Sequence, residues 1–303
     1  MNRFAASSLF VLAIGCAPTF EDRPWLVEEA RILAVTASPA EARPGEGVNL
    51  RALVADPDGE VTLAPQWTVC TQPRTIDERT AVSRECALGD ALMPVGSPAF
   101  VPGDACALFG PNPPPMVGDE PARRPTDPDP SGGYYLPVGV GLSSLELQGF
   151  GFVRLRCDLA GATRAVFDEW ERRYELNVEP TVDGVRLIDG EQRIDLADGP
   201  VTVDADASIT LEAVMPSSAS EPYVVYDASL GALLDRSEVL TVHWYVTEGE
   251  LVRGQQTWSG DEASLPAVQW QAPDTEASVA GWVVVVDDRG GTTWSSFAIE
   301  VRA

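Results

Sequence analysis

The sequence predicts an all-β protein of two tandem antiparallel β-sandwiches, the first of which carries a long Pro-rich insertion. Short segments of alternating apolar and polar residues recur along the chain, and Gly, Pro and Asp residues separate them. The order of strands and turns in the first half recurs in residues 201–303. No segment keeps a helical period beyond about three turns, and residues 164–173 are the best helix candidate.

Five strands are predicted in the first half. The clearest runs from Val48 to Val54, where side chains alternate with the period of two expected of a half-buried strand, and an Asp-Pro-Asp-Gly turn follows. The next strand carries Trp67 and Val69 on one face. The predicted strands are residues 32–37, 48–54, 66–70, 134–140 and 149–157, and residues 171–178 are a weaker strand candidate.

The second half repeats this order. Residues 209–213 alternate, and the strand at 243–246 again carries a Trp near its start. Residues 279–286 are continuously apolar, which predicts a strand buried on both faces. The two glycines at 290 and 291 suit a hairpin turn that requires positive φ.

Two stretches carry a resemblance to a known family. They are Pro39 to Gly59 with the following Trp67, and Trp244 with residues 270–273 and 283–291. In this order they resemble the immunoglobulin-like domains of bacterial cell-surface lipoproteins. The resemblance implies two tandem immunoglobulin-like β-sandwiches, and it implies little about activity because this fold hosts many functions.

The predicted organisation has four parts. Residues 1–15 are a lipoprotein signal peptide, 16–28 a tether, 29–180 the first domain and 181–303 the second. The first domain contains an insertion at 72–133, which is far longer than the usual connection between strands. We expect this insertion to be ordered and either to carry recognition or to cover a sheet edge.

The N-terminus indicates export and lipidation. Arg3 precedes an apolar run too short to span a bilayer, and a small-residue signal follows it. Residues 13–16 resemble a bacterial lipobox, which implies that Cys16 is lipidated. Ala17 lacks the Asp associated with inner-membrane retention in such lipoproteins, so the resemblance implies the outer membrane.

The net charge excludes some classes of binding partner. With 21 basic and 46 acidic residues, the chain has a formal net charge of −25, which argues against nucleic acid and against electrostatic binding to anionic lipid. The expected partners are the membrane, through the lipid anchor, and envelope proteins or glycans.

The remaining four cysteines predict two disulfides, because an exported chain meets an oxidising compartment. Cys70 points away from the apolar residues of its strand, whereas Cys157 shares a face with those of its own strand. Alternation therefore argues against joining these two. Of the two remaining pairings, the shorter loop favours Cys70–Cys86 with Cys106–Cys157.

No catalytic constellation is predicted. The only histidine, His243, follows the alternation of its strand and should face away from Trp244, outward or against the other domain. We therefore expect a structural histidine and a protein that is not an enzyme.

Two weaker site candidates remain. Calcium is the one cofactor considered, because acidic side chains occupy predicted loop tips, although the same residues are ordinary turn formers. These candidates are Asp56, Asp58, Asp127, Asp129, Asp287 and Asp288. Tyr134 and Tyr135 follow a Gly-Gly pair and are candidate binding aromatics, with core or inter-domain packing as the alternative.

Two functions are consistent with these features. The first is a non-enzymatic envelope lipoprotein with a structural or protein-interaction role at the cell surface. The second is a glycan or small-molecule binding protein that uses the insertion as a lid. A flat, elongated arrangement of the domains would favour the first, and a pocket of aromatic and converging polar groups would favour the second.

Overall fold

The computed structural model describes residues 23–75, 78–111 and 130–303. The predicted signal peptide, the predicted lipidation site Cys16 and the calcium candidates Asp127 and Asp129 lie outside these residues. Within the described ranges, no helix has the length and apolar character needed to cross a membrane.

The described residues form an almost entirely β structure, which confirms the predicted fold class. The strands are β1 Arg31–Ser38, β2 Glu41–Ala42, β3 Gly47–Asp56, β4 Gly59–Glu60, β5 Gln66–Cys70, β6 Leu92–Val95, β7 Ala99–Phe100, β8 Gly133–Leu142, β9 Leu147–Arg156, β10 Gly184–Asp189, β11 Gln192–Asp195, β12 Val201–Asp204, β13 Ser208–Val214, β14 Pro222–Asp227, β15 Ala232–Ser237, β16 Val239–Val246, β17 Glu250–Leu251, β18 Gln255–Ser259, β19 Ala267–Gln271, β20 Ala277–Val286 and β21 Thr292–Arg302. The helices are α1 Arg84–Ala87, α2 Ala105–Phe109 and α3 Arg164–Arg173.

The first sandwich packs two sheets against each other. One has the order β1-β3-β4 with β7 added to β3, and the other has the order β2-β9-β8-β5-β6. Their inner faces bury the alternating apolar residues that the sequence predicts, including Trp67, Val69, Val153 and Leu155.

The second sandwich pairs a sheet of order β11-β10-β13-β19-β17 with one of order β12-β21-β20-β16-β18. Its core contains Trp244, Trp258 and Trp270, all buried. Outside the sandwich, the hairpin β14-β15 reaches back to the first half, where Val224 packs with Trp170 of α3.

The described part of the insertion is ordered and joined to the first sandwich. Strand β6 extends the sheet at β5, and β7 pairs with β3. Two disulfides, Cys70–Cys86 and Cys106–Cys157, fasten α1 and α2 to the strands. Both predicted pairings are therefore confirmed.

The end of the predicted tether is part of the fold. Leu26 lies in the core of the second sandwich, and Trp25 packs against the same core. The Val27 N–H donates to the Val246 carbonyl at 2.9 Å, and the Val246 N–H donates to the Trp25 carbonyl at 3.0 Å. Residues 23–28 thus differ from the prediction of a free tether, because apolar side chains there find a place in the core.

The two sandwiches pack face to face along β1, β3 and β20. Ala34, Leu53 and Ala55 meet Trp282 and Val284, which project from the outer face of β20. The opposite face of β20 lies in the core of its own sandwich. This packing explains why residues 279–286 are apolar on both faces.

Candidate functional site

The main candidate site is a cleft of about 920 Å³ between the two sandwiches. Its walls come from β1 and β9 of the first sandwich, from the insertion, and from β16, β20 and the β20–β21 turn of the second. Apolar and aromatic side chains make up most of the lining, and a few polar groups converge on it. This composition is typical of a small-molecule site.

A bulge shapes the β1 wall. The pairing of β1 with β3 shifts register between Ile32 and Ala34, which leaves Leu33 as an extra residue. A bulge re-aims neighbouring side chains, so four consecutive residues, 32–35, line the cleft where a regular strand would present every second one.

Glycine on β9 allows β1 to approach closely. A Cβ built on Gly151 would lie 2.5 Å from Cγ1 of Val35, which is closer than side-chain atoms pack. The flanking Phe150 and Phe152 add aromatic surface to the same wall. The close packing of β1 on β9 beside the cleft therefore requires glycine at position 151.

The described insertion residues form a third wall. Gln72, Pro73 and Arg74 follow β5 after one intervening residue, and Leu108 and Phe109 belong to α2. The two disulfides lie beside these segments and hold them to the sheet, because Cys70 precedes Gln72 and Cys106 lies in α2. The insertion is thus built into the cleft.

His243 and Tyr245 on β16 face the cleft from the second sandwich. Trp244, between them, points into the core, so His243 faces the other domain as alternation predicts. Burial lowers the pKa of His243 and raises the pKa of Tyr245. Both side chains are therefore neutral at neutral pH.

Asp287 and Asp288 line the cleft at the β20–β21 turn. The Asp287 carboxylate is buried and accepts the backbone N–H groups of Arg289 at 2.8 Å and Gly291 at 2.9 Å. Burial, together with the nearby charge of Glu238, raises the pKa of Asp287 to about 7. Asp288 is exposed and accepts from the Tyr223 hydroxyl at 3.2 Å.

Buried ion pairs fix the walls on both sides. Arg154 Nε and Glu41 Oε2 are 3.1 Å apart, and both side chains are fully buried. Arg289 Nε and Glu238 Oε1 are 2.7 Å apart and equally enclosed. Tyr135 connects the two groups, since its hydroxyl accepts from Arg154 and donates to the Arg289 carbonyl.

The binding aromatics predicted from the sequence have different environments. Tyr134 is buried in the first core and does not line the cleft, which corresponds to the alternative of core packing. The face of β8 that carries Tyr134 points into the core of the first sandwich. Tyr135 lines the cleft and also bonds across the domain junction.

The described calcium candidates act as turn formers. The Asp56 carboxylate accepts the Asp58 N–H at 2.9 Å, and Asp287 caps its own turn as described above. Among the described residues, no group of three or more His, Cys, Asp or Glu side chains is placed to hold a metal ion.

The buried charge network is the feature that sequence reasoning missed. Arg154 lies in a predicted strand between two core residues, so alternation assigns it to the face away from the core. That face is covered by Glu41, 113 residues earlier in the chain, and by the segment around Asn177. The one sequence signal for this network is a charged residue, Arg154, within an otherwise apolar strand.

Comparisons with known proteins find remote structural likenesses. No family model matches the chain, and no curated protein matches it. Solved structures that it resembles include E. coli alpha-2-macroglobulin, with 10% identity, TM-score 0.25, and 90% of this chain but 17% of that chain covered. The chain also resembles murine CEACAM1b, with 10% identity, TM-score 0.23, and 88% of this chain and 100% of that chain covered. A third likeness is to the C-terminal domain of the Streptococcus pyogenes antigen I/II-family protein AspA, with 10% identity, TM-score 0.25, and 91% of this chain and 99% of that chain covered.

These likenesses are too weak to carry an argument about function. The chain spans 17% of the length of alpha-2-macroglobulin.

Proposed function

We propose that this protein is a non-enzymatic, lipid-anchored envelope protein that binds a small, largely apolar molecule between its two sandwiches. The observation that carries the proposal is the cleft of about 920 Å³, which has apolar walls and few polar groups. Sites for small molecules typically measure about 300–1,000 Å³ and have this composition. The volume suits one ligand of moderate size.

The rigidity of the walls supports binding. The buried pairs Arg154–Glu41 and Arg289–Glu238 each fix one sandwich, and the Tyr135 hydroxyl and the apolar contact between β1 and β20 connect the two sandwiches. A preformed cleft avoids the ordering cost that a flexible one would incur on binding.

The chemistry supports a non-enzymatic role. Among the described residues, His243 makes no hydrogen bond with a hydroxyl, thiol or carboxylate, so no nucleophile is paired with it. The lipid anchor rests on the lipobox resemblance at Cys16, and the location in the outer membrane rests on Ala17, which lacks the Asp associated with inner-membrane retention.

A surface interaction role is the second candidate. Leu88, Met93 and Phe100, all in the insertion, are exposed apolar side chains, and such side chains can serve contact with an envelope partner. Capture of one defined partner from solubilised envelope, lost on replacement of Phe100 by Ser, would favour this role.

Pyrene fluorescence tests ligand binding directly. We expect pyrene to bind the purified protein, and we expect Ala81→Trp to weaken binding by about tenfold or more, because exposed Ala81 lines the cleft and the larger ring fills it. Ala263→Trp, at an exposed site outside the cleft, is the matched control. Equal affinity in both variants would contradict the proposal.

The anchor is tested separately. Wild-type protein should label with palmitate and fractionate with the outer membrane, and Cys16→Ser should do neither. Several acyl chains, each contributing about 0.8 kcal/mol per buried CH₂, would make the attachment stable. Palmitate labelling of the variant would contradict the lipidation site.

A further inference from the structure

His243 and Tyr245 form a pair of polar side chains on one face of β16. They are two residues apart, so alternation places both on the side opposite to Trp244. Their ring centroids are 6.5 Å apart, and the ring planes differ by 11°. Both line the cleft, so their polar atoms are available to the same bound molecule.

Neither side chain has its hydrogen bonding satisfied within the described part of the chain. No hydrogen bond joins the imidazole nitrogens or the Tyr245 hydroxyl to another described residue. The guanidinium of Arg31 covers the Tyr245 ring at 5.4 Å from its centroid, which fixes the ring without using the hydroxyl.

The pair offers uncharged donors and acceptors. Burial lowers the pKa of His243, so the neutral imidazole presents one N–H donor and one nitrogen acceptor. Burial raises the pKa of Tyr245, so the phenol keeps its proton and can donate or accept.

The surroundings disfavour a charged group at this position. Val284 is the register partner of His243 on β20, and Val286 and Leu33 also line the cleft. Among apolar walls, a charged group loses its hydration without compensation. The Arg and Asp side chains that line the cleft have partners within the protein: Arg74 donates to the Thr80 carbonyl at 2.8 Å, Asp287 accepts two backbone N–H groups, and Asp288 accepts from Tyr223.

We propose that His243 and Tyr245 select an apolar molecule that carries an uncharged hydroxyl or carbonyl group. This inference rests on the proposed ligand-binding function and specifies the chemical class of the ligand. The apolar body would lie against the aromatic walls, and the polar group would exchange hydrogen bonds with the imidazole and the phenol.

Four probes with one apolar body test the class: pyrene, 1-pyrenemethanol, 1-pyrenemethylamine and 1-pyrenecarboxylate. Their affinities are measured by fluorescence titration at neutral pH. We expect 1-pyrenemethanol to bind about 3–10-fold more tightly than pyrene, the gain from one hydrogen bond. We expect the cationic and anionic probes to bind more weakly than 1-pyrenemethanol.

Variants assign the preference to these residues. His243→Phe and Tyr245→Phe should each reduce the preference for 1-pyrenemethanol over pyrene, measured as the ratio of the two affinities in the same variant. Thr241→Val, on the same face of β16 but outside the cleft lining, is the matched control and should keep the preference. Thermal unfolding verifies that each variant is folded. If one of the two Phe variants does not fold, the other one alone provides the test.

The outcomes separate the two proposals. If pyrene binds but 1-pyrenemethanol binds no better, or a charged probe binds best, the ligand class is wrong and the binding function stands. If the Phe variants keep the full preference, the assignment to His243 and Tyr245 is wrong. If none of the four probes binds, the binding function itself is contradicted.

Discussion

The side-chain nitrogen of Asn177 lies 3.4 Å from each carboxylate oxygen of Asp287, across the junction between the two sandwiches. The Asn177 backbone N–H also donates to Glu41 at 3.1 Å. The Asn177 side chain is buried, and its amide oxygen has no partner among the described residues. This one residue therefore connects the buried acids of the two sandwiches.

The raised pKa of Asp287 predicts a pH-dependent stability. Its pKa is about 7 in the folded protein and 3.8 ordinarily, so the folded state binds the proton more tightly. The stability that this proton contributes is fully present below about pH 4 and is lost as pH rises to about 7, on the order of 4 kcal/mol in all. The unfolding free energy, measured by urea unfolding from pH 4 to pH 8, should therefore fall with pH more steeply in wild type than in Asp287→Asn.

The neighbouring acid provides the control. Asp288→Asn removes a carboxylate from the same turn, but an exposed one. Its unfolding free energy should follow that of wild type across the pH range. Parallel curves for wild type and Asp287→Asn would show that the folded state does not hold the extra proton.

The Arg154–Glu41 pair predicts an asymmetric mutational effect. Arg154→Met leaves Glu41 buried without its cation, which should cost about 3–5 kcal/mol of unfolding free energy. The double variant Arg154→Met with Glu41→Gln removes both charges and should recover part of that loss. A double variant less stable than Arg154→Met alone would contradict the interpretation that an uncompensated charge is the main cost.

Local patterns predicted the elements of the fold well. The helix candidate at 164–173 is α3, and the Thr163 hydroxyl caps it by accepting the Val166 N–H at 3.4 Å. Period-two alternation located the longer core strands, because each sandwich buries one face of a strand, but β10, β11, β14 and β15 were not predicted. The strand candidate at 171–178 is instead the end of α3 and an irregular segment. Alternation and loop length together predicted the disulfide pairing that the structure has.

The site depends on long-range packing that local patterns do not contain. Alternation predicted which way His243 faces, but the cleft exists only because β1 packs against β20. The run 279–286 indicated a second buried face without identifying its partner, Ala34 and Leu53. Leu26 looked like part of a tether because its contacts lie more than 200 residues away, at Val246.

Gly151 provides a test of the close packing behind the cleft. Gly151→Ala would place a Cβ 2.5 Å from Cγ1 and 2.6 Å from Cβ of Val35, so β1 or β9 must shift. We expect a loss of about 1–3 kcal/mol in urea unfolding. At Gly103 an added Cβ would meet no atom within 4 Å, so Gly103→Ala should change the unfolding free energy by less than about 0.5 kcal/mol. Similar values for the two variants would contradict the tight contact.

The two disulfides should contribute unequally. They close loops of 16 and 51 residues, for which chain entropy gives about 3 and about 4 kcal/mol. Replacing Cys106 and Cys157 by Ala should therefore lower the unfolding free energy more than replacing Cys70 and Cys86. The opposite order would show that native-state contacts at α1 outweigh the loop entropy.

The N-terminal segment that joins the second sandwich should be needed for its stability. Leu26 lies in the core of that sandwich with 9% of its surface exposed, so Leu26→Ala should cost about 2–5 kcal/mol. Val252→Ala truncates a side chain that is 70% exposed, two residues before Gly254, where an added Cβ would lie 3.0 Å from Cβ of Trp25. That control should change the unfolding free energy by less than about 0.5 kcal/mol. If Leu26→Ala unfolds at the same urea concentration as wild type, residues 23–27 do not belong to the cooperative unit, and the tether extends to the first strand as the sequence alone predicts.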